Sequence, residues 1–157
     1  MHHSLYFPTL VTDCRSIIGT FLSQYGIAEH GAPISWVALR YAVHDWILEV
    51  CMVAEFPRIA APLGFLNPAG VEVRSDLLQK ATGIERTIGD QMPENYVDRS
   101  YYQLSPLERY CVELKFLRAF LERCYLPILE GKFSYRDYLD FVTRQAEIDP
   151  SFSKPTQ

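Results

Sequence analysis

Few side chains in this chain suggest chemistry by type and spacing, and most of those that do crowd into one stretch. Arg40 and His44 stand four residues apart, as do Asp45 and Glu49. On a helix, residues at i and i+4 share a face. Arg40 and His44 would then line one polar seam, with Glu55 near the same angle, and Asp45 and Glu49 would line a second. A polar seam inside a helical bundle can form a pocket for a small molecule or haem. Paired carboxylates can exchange a proton or hold a metal, although two acids on a solvated face share the same spacing. An unfamiliar enzyme would draw on Arg40, Asp45 or Glu49 from these seams.

The remaining candidates are weaker. His2 and His3 lie at the chain start, and His30 falls in a connection. Bundle di-iron sites use a Glu-x-x-His pattern, and none occurs here. Cys14, Cys51, Cys111 and Cys124 show neither Cys-x-x-Cys nor zinc spacing. Cys14, Cys111 and Cys124 fall on apolar helical faces, where a thiol acts as a small hydrophobe. The sequence also lacks G-x-G-x-x-G, a P-loop, G-x-S-x-G and H-E-x-x-H. No metal or cofactor is therefore expected, and the cysteines are expected to be reduced and structural.

Positioning these residues requires helices, and apolar spacing predicts an all-α fold: a compact bundle of four long helices. The first runs near 10–25, where Leu10, Val11, Cys14, Ile17, Ile18, Phe21, Leu22 and Tyr25 make one stripe. A second, near 34–55, carries two apolar strips and reads as the central helix. The third, near 106–126, opens on Ser105-Pro106-Leu107-Glu108, a capping box with Pro at the first helical position. The fourth, near 135–146, follows Ser134, with Asp137 suited to the helix dipole. One or two short helices are expected between 75 and 91. The apolar, Pro-rich segment 57–73 should connect elements against the core without regular helix. No strand is evident. The expectation is a single helical domain over 1–157, with 1–7 and 149–157 frayed.

Surplus apolar surface supplies the functional clue. Leu107, Leu114 and Leu121 form a stripe on the third helix, and Val112, Phe116 and Phe120 lie opposite. Such a second strip is either buried within the fold or meets another chain. Tyr101 and Tyr102, with Tyr96 and Tyr110 nearby, add amphipathic surface of the kind enriched at interfaces. The leading expectation is a non-catalytic protein–protein interaction module, an adaptor, chaperone-like factor or assembly subunit that self-associates or binds a protein partner. Its interface would comprise Val112, Phe116, Phe120, Tyr101 and Tyr102. The alternative is a small-molecule or haem bundle centred on Arg40 and His44.

Composition narrows the remaining classes. With 157 residues, 48% hydrophobic and 22% charged, the chain fits one globular domain. A chain this long buries roughly 70% of its unfolded surface and needs no disulfide or metal to fold. A net charge of -4 without a Lys/Arg run argues against nucleic acid and anionic membranes. No segment reaches the ~20 apolar residues of a membrane span, and no leader pattern is visible, so a cytoplasmic location is expected.

Overall fold

A computed structural model describes residues 2–32, 38–51, 53–55, 58–60, 63–82 and 103–149. It overturns the all-α expectation. A four-stranded antiparallel sheet in the order β1-β2-β3-β6 shares its core with the helices. The strands are β1 (Ala28–Glu29), β2 (Ala38–Val43), β3 (Trp46–Cys51), β4 (Val53–Glu55), β5 (Arg58–Ala60) and β6 (Leu63–Leu66). β4 and β5 form a separate two-stranded ribbon.

The expected central helix at 34–55 is a β-hairpin. Its side chains alternate in burial: Leu39, Tyr41, Val43, Trp46, Leu48 and Val50 are at most 1% exposed, while Arg40, Ile47, Glu49 and Cys51 are half-buried and Ala42 is exposed. This is the period of two of a sheet with one face on the core. β-branched and aromatic residues fit that pleated surface better than a helix. The two helical strips were this alternation projected onto a wheel. Only His44 and Asp45 link the strands, with Val43 paired to Trp46 and Arg40 to Glu49. His44 takes φ 56°, the positive value that a two-residue hairpin turn requires and that His adopts more readily than most residues.

The segment expected to be an irregular connection contributes two strands, β5 and β6. β6 joins the sheet beside β3, with Leu48 opposite Phe65 and Ile47 opposite Leu66. Asn67 then reverses the chain. Its side-chain oxygen accepts from the Ala69 and Val71 amides at 2.9 Å, and Leu66 bridges to Glu72.

The helices outside the hairpin follow the apolar spacing more closely. α1 (His2–Cys14) leads through a π-helical turn, Arg15–Gly19, into α2 (Thr20–Ser23). α3 is Ser75–Ala81. α4 is Pro106–Cys124, with both bonds of its Ser105–Glu108 capping box formed. α5 (Leu126–Leu129) restarts after Tyr125, with Pro127 in its first turn. α6 is Tyr135–Ile148, opened by a second capping box between Ser134 and Asp137. The second short helix expected before residue 91 lies outside the described residues.

One core joins these elements: Cys14, Ile18 and Leu22 from the N-terminal helices, Leu39, Tyr41 and Trp46 from the hairpin, Leu114 and Leu121 from α4, and Val142 from α6. Among the described residues, no helix is long and apolar enough to cross a membrane.

Candidate functional site

His44 and Asp45 form the hairpin turn, and Trp46 follows it on the core face of β3. They meet the loop between α5 and α6. The His44 Nε2–H donates to the Leu129 carbonyl at 3.0 Å, and the Trp46 Nε1–H donates to the Phe133 carbonyl at 3.0 Å. In the opposite sense, Asp45 Oδ2 accepts from the Tyr135 amide at 2.8 Å. That amide belongs to the first turn of α6, whose donors lack helical partners. Gly131 makes the approach possible. It holds φ 74°, and a β-carbon there would stand 2.9 Å from the imidazole.

Behind this clasp the Trp46 ring stacks on Phe133 and meets Phe65, Tyr135 and Tyr138 edge-on, with centroids 5.5–6.4 Å apart. Buried edge-to-face rings contribute beyond their area alone. Together the hydrogen bonds and rings tie the tip of β2–β3 to the α5–α6 loop across more than eighty residues of chain. The chemistry of His44 and Asp45 is thereby engaged in holding the fold.

Arg40 and Glu49 face each other across β2 and β3 and form an ion pair of 2.8 Å on the outer face of the hairpin. The seam expected to join Arg40 to His44 depended on a helix and is absent: one residue lies on the strand, the other in the turn. Asp45 and Glu49 are separated in the same way, one bonded to α6 and the other to Arg40.

Cys14 and Cys124 are buried in the core, and Cys51 and Cys111 are half-buried beside carboxylates. Cys14 is fully buried, with its sulfur 4.0 Å from the Tyr41 hydroxyl, and burial pushes the thiol up to about 12. The same desolvation raises the Tyr41 and Tyr110 hydroxyls. Cys111 is half-buried and donates to Asp13 at 3.4 Å; burial and that bond to a carboxylate push it up to about 11. Cys51 is raised by burial and by Glu49. A nucleophilic cysteine needs its thiolate favoured by nearby positive charge, the reverse of these settings. None of the four cysteines is joined in a disulfide. Among the described residues, no three His, Cys, Asp or Glu side chains converge as a metal site would require.

The residues expected at an interface divide three ways. Phe116 and Phe120 are 4% and 2% exposed, stacked on one another at 6.2 Å, with Phe120 edge-on to Tyr125. Val112 is half-buried. Tyr101 and Tyr102 lie outside the described residues. α4 is thus covered on both its apolar strips, and Phe116 and Phe120 offer no free surface.

The sequence reading missed the outer face of the sheet. Strand register aligns Ala28, Ala42, Ile47 and Leu66 in one row across all four strands. Ala28 and Ala42 are exposed, Ile47 is half-buried and Leu66 is buried, and the Arg40–Glu49 pair flanks the row. Alternation through 38–51 was the signal that could have placed it. No protein-family model, curated protein or solved structure matches this chain.

Proposed function

We propose that the chain is a non-catalytic protein–protein interaction module that pairs with a second copy of itself through the outer face of its sheet. The observation that supports this reading is the row Ala28–Ala42–Ile47 crossing adjacent strands beside the Arg40–Glu49 pair. Short side chains leave that face shallow, so another flat surface can approach closely. A twofold dimer uses the same patch on both partners, so the patch must complement itself. A face carrying one cation and one anion does so, because each Arg40 can approach the Glu49 of the other copy. The engagement of His44, Asp45, Cys14 and Cys111 in internal contacts further favours a binding role over a catalytic one.

Light scattering coupled to gel filtration tests this. A dimer is expected for the native chain and a monomer for Ala42→Arg, with unchanged circular dichroism because Ala42 is exposed. A native chain that stays monomeric across its soluble range would count against the proposal.

A further inference from the structure

On the helical side of the molecule, the π-helical turn and α2 run beside α4 and leave an open groove of about 260 Å³. Its floor is apolar, formed by Ile17 and by Phe21, which is 6% exposed. Ser16, Thr20 and Gln24 line one wall at spacings of four. In an α-helix of 3.6 residues per turn, every fourth residue rotates progressively off the row. One wider π turn, Arg15–Gly19, offsets that drift, and all three polar side chains line the same groove.

The opposite wall carries Arg118 and Glu122, one turn apart on α4. Both are exposed, and neither forms an ion pair among the described residues. With the cation N-terminal to the anion, the order is the less favourable one for pairing along a helix. A positive and a negative group therefore border the same apolar floor, neither committed to an ion pair among the described residues.

We propose that this groove binds a small zwitterion with an apolar body, a free α-amino acid or a dipeptide. Arg118 would receive the carboxylate through its two-pronged guanidinium, and Glu122 would receive the ammonium. The aliphatic or aromatic side chain would cover Ile17 and Phe21, leaving the hydroxyls and amide of the facing wall for remaining polar atoms. Size agrees: the groove is smaller than the 300–1,000 Å³ typical of sites for drug-sized ligands. Two uncommitted charges of opposite sign select against simple anions, because Glu122 would repel what Arg118 attracts. The proposal concerns a different surface from the sheet face and stands independently of self-association.

Leucine and glycyl-leucine are the probes, titrated into ¹⁵N-labelled protein and followed by amide chemical shifts. At least one should move resonances of residues 16–24 and 118–122 selectively, with a dissociation constant of about a millimolar, as expected for solvent-exposed ion pairs. N-acetyl-leucine lacks the ammonium and leucinamide lacks the carboxylate, so each should bind about fivefold more weakly than leucine. Arg118→Gln and Glu122→Gln should weaken the responding probe similarly while leaving the circular-dichroism spectrum unchanged. Absence of localised shifts with both probes would overturn the proposal. So would equal binding of the blocked analogues, or full binding by both variants.

Discussion

Cys14 shows how burial converts a reactive residue into a structural one. Its thiol is raised from an ordinary 9.0 to about 12, chiefly because the thiolate would lose its hydration inside the core. The folded state therefore holds this proton more tightly than the unfolded chain. The resulting stability is fully present below pH 9 and is lost as pH climbs through the folded value near 12. Across that window each additional proton held by the native state steepens the fall by about 1.4 kcal/mol per pH unit. Urea unfolding of the native chain and Cys14→Ala at several pH values checks this. Stability should decline more steeply above pH 9 when Cys14 is present, and parallel declines would show that the thiol is not the group responsible. Composition and apolar spacing foretold a buried thiol here. The neighbouring Tyr41 hydroxyl, 27 residues away, could not be anticipated from spacing along the chain.

Among the elements, the hairpin and its docking loop depend on each other. β2 and β3 turn through two residues only, and the turn is held by Leu129 and Tyr135, 85 and 90 residues further along the chain from the groups they bond. Gly131 allows the contact twice over, through its positive φ and through the missing β-carbon beneath His44. Gly131→Ala should cost about 1–2 kcal/mol from the left-handed backbone alone, with the imidazole clash added. The expected result in urea unfolding is a lower midpoint with an unchanged slope. An unaltered midpoint would mean that the loop shifts freely and the clasp contributes little. The helix starts at Ser105 and Ser134 were legible because a capping box is a local agreement among four residues. The hairpin was not, because His-Asp lacks the Asn-Gly or Asp-Gly signature of a tight turn. Its apolar residues also satisfied a helical projection as well as an alternating one.

For the whole molecule, the decisive feature is that α4 is covered on both of its apolar strips. Its Leu114–Leu121 stripe and its Phe116–Phe120 strip both enter the same core. Charge substitution at Phe116 and Phe120 should therefore unfold the chain. Each carboxylate would be placed where the native side chain is at most 4% exposed, and an unpaired buried charge is costly enough to consume the stability of an ordinary domain. Phe116→Glu with Phe120→Glu should abolish the far-ultraviolet helical signal at neutral pH. A folded double variant that merely failed to associate would return the strip to the surface and revive it as an interface.

What the sequence determined by itself was local: helix starts at Ser105 and Ser134, the stripe that buries α4, and the burial of Cys14 and Cys124. Each follows from interactions within a few residues, so spacing alone reports it. Tertiary structure decided whether 38–51 became helix or hairpin, because the choice depends on a sheet partner, β6, and on a loop some ninety residues away that accepts the turn. It also decided which apolar surfaces remained outside. The aromatic strip of α4 was absorbed by the core. The alternating residues of the hairpin acquired an outer face, because a strand exposes every second side chain once its other face is covered.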